Sequence, residues 1–214
     1  MSGAGPVFDV HFRAELAQLM RWRRDVRLFR ADPAPEELIE HLFDLAQLAP
    51  SVGNSQPWRL IRVESAEKRA AIRENFVQCN AEALAAQPGE RAALYARLKL
   101  AGLDKAPVQL AVFCDHATTQ GFGLGMRTMP EMLDYSVVGM INMLWLAARA
   151  AGLGLGWVSI LDPEKVRVAL EAPDSFKLIG FLCLGWPEEV HIEPELARCG
   201  WQDRTSIGRR VVVV

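Results

Sequence analysis

Fourteen consecutive residues, Tyr135 to Ala148, carry no charged side chain, and the apolar pattern around them predicts a helix over Glu131–Ala151. A helix that is apolar on most faces has to be buried. The run falls short of the roughly 20 residues that a membrane span needs, and Ser136 and Asn142 interrupt it. Its place is therefore a protein interior, with no membrane partner. In a chain of 214 residues the economical interior is the centre of a dimer, so a homodimer is expected.

The rest of the chain reads as one globular domain. Half of its residues are apolar and 23% are charged, which is the balance of a packed fold rather than of disorder. A net charge of -2 lacks the basic excess of a nucleic-acid surface. Cys79, Cys114, Cys183 and Cys199 form no C-x-x-C pair, and their gaps suit neither a zinc site nor a disulfide framework. They read as reduced structural thiols of a cytoplasmic protein. With no long apolar stretch among the first residues, a secretory signal is not expected. The four histidines are scattered, and no metal site is predicted.

Further helices are predicted over Asp9–Arg21, with Phe12, Leu16, Leu19 and Met20 as an apolar stripe, and from Glu36 to a stop at Pro50. Others are expected from Ala66 to about Ala86, from Glu90 to about Leu100 and over Pro163–Leu170. Strands are predicted at Trp58–Glu64, Pro107–Cys114, Trp157–Ile160 and Phe176–Leu184. Residues 115–130 lack periodicity and suit a lid. Residues 187–214 read as an extended C-terminal arm that crosses onto a partner subunit. Strands separated by several helices give an α+β, three-layer α/β/α single domain over residues 1–214.

Neither a dinucleotide fingerprint nor a phosphate-binding P-loop is present. Gly121–Gly125 is not placed between a strand and a helix, and Gly152–Gly156 precedes a strand, the wrong order for a phosphate turn. Arg23, Arg24 and Arg27 form the stronger cluster. On a continued helix Arg23 and Arg27 share a face, and the group reads as a basic helix end favoured by the helix dipole. If the chain leaves the helix and bends there, all three line a concave anionic site.

Four separated segments, RRDVRLF (23–29), APSVGNSQPWR (49–59), GLGLGWVSI (152–160) and FLCLGWP (181–187), stand in one order. In that order they resemble the nitroreductase-like flavoproteins, and more closely their 5,6-dimethylbenzimidazole synthase branch. The likeness runs from about residue 10 to residue 205. Where the common pattern has serine after the paired arginines, this chain has Asp25, as that branch does. Ser159 points the same way. The resemblance implies a nitroreductase-like FMN-binding fold in a domain-swapped homodimer. It also implies that Arg23, Arg24 and Arg27 grip the FMN phosphate and ribityl oxygens, as guanidinium forks can. Ser51 and Asn54 hydrogen-bond the flavin, Leu155 and Gly156 run beside its ring, and Arg198 reaches it from the tail.

The implied reaction consumes FMN. Reduced FMN and dioxygen give 5,6-dimethylbenzimidazole, the lower-ligand base of vitamin B12, and D-erythrose 4-phosphate. One ribityl carbon stays as C2 of the benzimidazole and four leave with the phosphate. Cleavage of a carbon–carbon bond requires a base, the role expected of Asp25, and Ser159 is expected to hydrogen-bond around the ring. An aspartate among three arginines is expected to have a low pKa. A separate NAD(P)H:flavin reductase is expected to supply the reduced flavin. The competing readings are an NAD(P)H-dependent nitroreductase or flavoreductase, which recycles FMN, and a protein that only stores or senses it.

Overall fold

The computed structural model describes residues 5–97 and 102–205. Its centre is a four-stranded sheet. β1 is Trp58–Arg62, β2 Val108–Asp115, β3 Gly154–Val158 and β4 Phe176–Gly185, in the spatial order β1-β2-β4-β3. Every neighbouring pair is antiparallel. β2 is buried from Val108 through Cys114, which is why its sequence is apolar on both faces rather than alternating, with Gln109 the one polar residue of that stretch, bonded to the Leu103 carbonyl. Val108, Leu110, Val112 and Cys114 face one core. Ala111 and Phe113 face the other, with Phe29, Ile72 and Val166.

The helices that close these two cores make the three layers. α1 is Val10–Trp22, α2 Glu36–Ala46, α3 Ala66–Ala85, α4 Glu90–Arg97, α5 Gly102–Lys105, α6 Met132–Ala150, α7 Pro163–Ala169 and α8 Glu195–Arg198. α2 and α6 cover one face of the sheet; α3 and α7 cover the other with Phe29. Side-chain caps open three of them, from Asp9, Ser65 and Asp162, satisfying amide groups that a helix start leaves free. No described helix is long and apolar enough to cross a membrane.

Several expectations need correction. The apolar stretch in α6 is buried within the single chain: Val137, Met140, Ile141, Leu144 and Ala148 sit against the sheet and α2. A dimer is not needed to hide them. What α6 leaves outside is a narrower stripe with Tyr135 and Met143. The apolar stripe of α1 finds no core, since no residue of that helix is buried and Phe12 and Met20 are exposed. α2 stops at Ala46. The turn then tightens, with Leu48 and Ala49 donating to carbonyls three residues back, because the residue before Pro50 disfavours a helical conformation. α5 was not expected. A Cβ on Gly102 within it would lie 3.2 Å from both Phe29 and Cys183, a fit that local periodicity does not reveal. The end of the helix expected after Glu90 lies outside the described residues.

The third predicted strand was displaced. β3 begins at Gly154 and ends at Val158, so GLGLG enters the strand and Ser159 follows it. Residues 188–198 fold back over their own chain, the Glu188 amide donating to the Leu28 carbonyl. Residues 206–214 of the expected arm lie outside the described residues.

Candidate active site

The site is made where α1 stops. Arg23 leaves the helix in an extended conformation (φ −68°, ψ 116°), and the following residues run along the free edge of β3. Asp25 bridges Leu155 in parallel, and the Val26 amide donates to the Leu155 carbonyl at 3.0 Å. Two glycines permit this. A Cβ on Gly156 would lie 2.1 Å from the Val26 carbonyl oxygen, and one on Gly154 would lie 2.7 Å from a Val26 methyl. The motif glycines are thus matched to the chain's own backbone. Phe29, fully buried, anchors the far end of the segment against Pro187.

The bend opens a cleft of about 880 Å³, part of it open to solvent, with Arg24, Asp25, Arg27, Trp145, Leu155 and Arg198 among its walls. The chain bends as the concave-site reading of the arginines requires, but of the three only Arg24 and Arg27 line the cleft. Arg23 stands behind the wall, its guanidinium carbon 4.6 Å from the centre of the Trp145 ring, a cation–π contact. Trp145 also donates from its indole Nε1 to the Arg24 carbonyl at 3.1 Å. Arg24 Nε donates to the Ile192 carbonyl at 2.7 Å, tying the tail to the cleft. Arg198 Nη1 donates to Glu195 at 2.8 Å. Burial holds the Arg23 and Arg24 guanidinium groups below their ordinary range, and Arg204 adds to the effect on both.

Asp25 is the carboxylate at the centre of this wall. Its Oδ1 accepts from the Trp157 amide at 2.9 Å, and its Oδ2 lies 3.5 Å from Arg27 Nε. The expected low pKa is corrected: burial pushes the Asp25 carboxyl above the usual carboxylate range, outweighing the downward pulls of the Trp157 amide, Arg27 and Arg23. Desolvation opposes the charged form more strongly than two cations and one amide favour it. About a third of the side chain still faces the cleft, so it is accessible to a bound molecule. Arg27 Nε is itself buried with no hydrogen-bond partner, an unmet donor at the cleft wall.

Leu155 is fully buried and meets the cleft as part of its floor. Gly156 is covered by Val26. Ser51 and Asn54 lie elsewhere, on the turn before β1, and neither lines this cleft. Ser51 Oγ accepts from the Gln56 amide at 3.0 Å, and the Asn54 carbonyl accepts from Gln120 at 2.8 Å. Ser159 is exposed, past the opposite end of β3, and does not line the cleft either. Trp145, Arg149 and His191 line it without having been anticipated. Trp145 was legible only as part of an apolar helix. Arg149 and His191 carried no signal, because only the fold brings α6 and the tail to the same opening.

The nitroreductase family's sequence pattern matches residues 20–186, a span that contains the first three motifs and all of the fourth but Pro187. The chain belongs to the nitroreductase family. Within it, the chain is 58% identical over 200 residues to the 5,6-dimethylbenzimidazole synthase of Rhodospirillum rubrum, covering 94% of this chain and 95% of that protein. It is 48% identical to the enzyme of the same name from Rhodobacter capsulatus, over 92% and 95%. The fold is also that of an iodotyrosine deiodinase crystallised with FMN and 3-iodo-L-tyrosine. That likeness has a TM-score of 0.69 at 22% identity and covers 93% and 97% of the two chains.

Proposed function

We propose that the chain is an oxygen-dependent enzyme that fragments reduced FMN to 5,6-dimethylbenzimidazole and D-erythrose 4-phosphate. The observation that carries this reading is its 58% identity, across nearly the whole of both chains, to a 5,6-dimethylbenzimidazole synthase. Asp25 facing the cleft, where a serine stands in the common family pattern, supports it.

The residues present fit a phosphate-bearing flavin. Arg24, Arg27, Arg149 and Arg198 stand around one opening, the planar guanidinium forks that suit a phosphate. An arriving phosphate competes with Glu195 for Arg198. Reduced FMN, when bound, supplies both the electrons that reduce dioxygen and the carbon atoms of the product. Asp25 takes the role of proton acceptor, oriented by the Trp157 amide. Trp145 steadies the arginine segment through Arg23 and the Arg24 carbonyl.

Ser51, Asn54 and Ser159 belong to this reading only in a homodimer, in which a second copy brings its 51–54 turn to the flavin of the first and Ser159 hydrogen-bonds around the ring. The exposed apolar side chains Val7, Phe8, Phe12, Met20, Tyr135 and Met143 support such an assembly, since a partner that covers them removes apolar surface from water. The C-terminal arm exchanges between subunits, dioxygen is the second substrate, and a separate NAD(P)H:flavin reductase delivers the reduced flavin in the cytoplasm.

Purified protein mixed with chemically reduced FMN and then exposed to air tests the reading. Chromatography and mass spectrometry are expected to find 5,6-dimethylbenzimidazole. Full recovery of intact oxidised FMN contradicts it and moves the protein to the FMN-recycling reductases or the flavin-binding proteins.

A further inference from the structure

Away from the cleft, β2 ends beside a mixed sulfur, nitrogen and oxygen donor set. Cys114, fully buried, is the last strand residue before Asp115. His116 stands two residues on, and Asp134 lies in the first turn of α6. One donor atom from each of the three lies within 4.8 Å of the others. His116 Nε2 and Asp134 Oδ1 are 2.8 Å apart. The other Asp134 oxygen accepts from Lys177 Nζ at 2.5 Å.

We propose that Cys114, His116 and Asp134 form a binding site for a zinc-class divalent cation, with a fourth position left to water. Tetrahedral zinc takes thiolate sulfur at about 2.3 Å and imidazole nitrogen or carboxylate oxygen at about 2.0 Å, which sets the ligand atoms roughly 3.3–3.8 Å apart. To meet that spacing the hydrogen-bonded His116–Asp134 pair, at 2.8 Å, has to open by about half an ångström, while no donor pair stands farther apart than 4.8 Å. Its donor types, one thiolate, one imidazole and one carboxylate, are those of zinc rather than of calcium or magnesium. Asp115, next in sequence, is already engaged by Arg59 and Ser175 and leaves the triad uncrowded.

Charge and access agree. A divalent ion with one thiolate, one neutral imidazole and one carboxylate is neutral overall, and Lys177 on the outer carboxylate oxygen is the neighbour that opposes the ion. His116 is partly exposed, with 38% of its side chain open, against 16% for Asp134, which gives the ion a way in. Cys114 coordinates a cation as the thiolate. Binding therefore releases its proton to solvent.

The position gives the ion a structural task. His116 and Asp134 are the two ends of the segment that joins β2 to α6. That segment packs on the Val52–Asn54 turn: Gln120 bonds Asn54, and a Cβ on Gly53 would lie 2.9 Å from the Leu124 carbonyl. An ion here closes the base of the segment and fixes its contact with the turn, whatever the cleft catalyses.

Chelator-treated full-length protein, kept reduced and titrated with Co²⁺, provides the test by absorption. A single site with a thiolate-to-cobalt charge-transfer band is expected, displaced by Zn²⁺, with release of one proton per ion. Cys114→Ser abolishes the band and Cys199→Ser keeps it. His116→Gln, at a partly exposed position, weakens binding about tenfold or more, while Lys177→Met, which removes the opposing charge, tightens it. Absence of the band, its persistence in Cys114→Ser, or unchanged affinity in both His116→Gln and Lys177→Met overturns the proposal and leaves an ordinary His116–Asp134–Lys177 ion-pair network.

Discussion

The Asp25 carboxylate accepts from the Trp157 amide at 2.9 Å, fixing the residue that distinguishes this chain from the common family pattern to the free edge of β3. One oxygen is held by the sheet and the other faces Arg27. A change that keeps an oxygen at Oδ1 therefore preserves the bond and removes only the charge. Asp25→Asn is expected to retain the fold and to lower product formation by about 100-fold or more, the range of a lost general base. Product chromatography under single-turnover conditions, beside a thermal melt, measures both.

The raised pKa of Asp25 has a sign. Its folded-state value lies above the unfolded one, so the native state binds the proton more tightly. The resulting stabilisation is complete at acid pH and is lost as pH rises from the unfolded pKa through the folded pKa. At neutral pH, Asp25→Asn is accordingly expected to be no less stable than the parent in urea titrations. A decrease of more than about 1 kcal/mol, the scale of a lost hydrogen bond, contradicts this account.

The same shift bears on activity. If the ionised carboxylate is the working base, the acid limb of the pH–rate profile lies above the range of an ordinary aspartate. Arg27 pulls the carboxyl down, so Arg27→Gln is expected to move that limb to still higher pH. A limb unmoved by Arg27→Gln separates Arg27 from Asp25 and leaves it only a flavin-binding role.

Gly156→Ala places a methyl group where the Val26 carbonyl already stands, 2.1 Å away. Backbone cannot swing aside as a side chain can. A loss of about 3 kcal/mol is expected from the overpacking, with weakened quenching of FMN fluorescence as the arginine segment lifts from β3. Chemical denaturation and a flavin titration together separate the two effects.

Thiol chemistry follows burial. Cys183 is buried and its thiol is pushed up to about 12, chiefly by desolvation; in metal-free protein Cys114 is alike. Cys79 and Cys199 are only partly covered. Iodoacetamide at mildly alkaline pH is expected to label Cys79 and Cys199 well before the other two, because the reagent can reach them, with Cys199 slowed by Glu195, which pushes its thiol up. Peptide mass mapping over time gives the order.

How far the chain could be read from its sequence depended on the range of the interaction. β2 and β4 were legible because a largely apolar run of strand length, broken only by Gln109 in one and Lys177 in the other before their ends, is a local property. The end of α1 was read to within one residue, Arg21 against Trp22, but the path beyond it was not legible, since Asp25 and Leu155 are 130 positions apart and only the fold brings them together. The apolar face of α6 was visible, but what covers it was not: α2 and the sheet do so within one chain. GLGLG looked like a loop because glycine is rare in strands, and its reason lies in Val26, a residue far away in sequence. The Asp25 pKa failed for the same cause. Counting neighbouring arginines sees their charges but not the burial that outweighs them. Cys114, His116 and Asp134 gave no ligand spacing, because α6 brings the third donor from another element.

The central claim is that FMN is taken apart rather than recycled. FMN labelled with carbon-13 at the ribityl carbon bonded to the ring tests it most directly. After reduction, addition of the protein and admission of air, the account predicts the label at C2 of 5,6-dimethylbenzimidazole, with an unlabelled four-carbon sugar phosphate formed in equal amount. Label found only in intact FMN contradicts it.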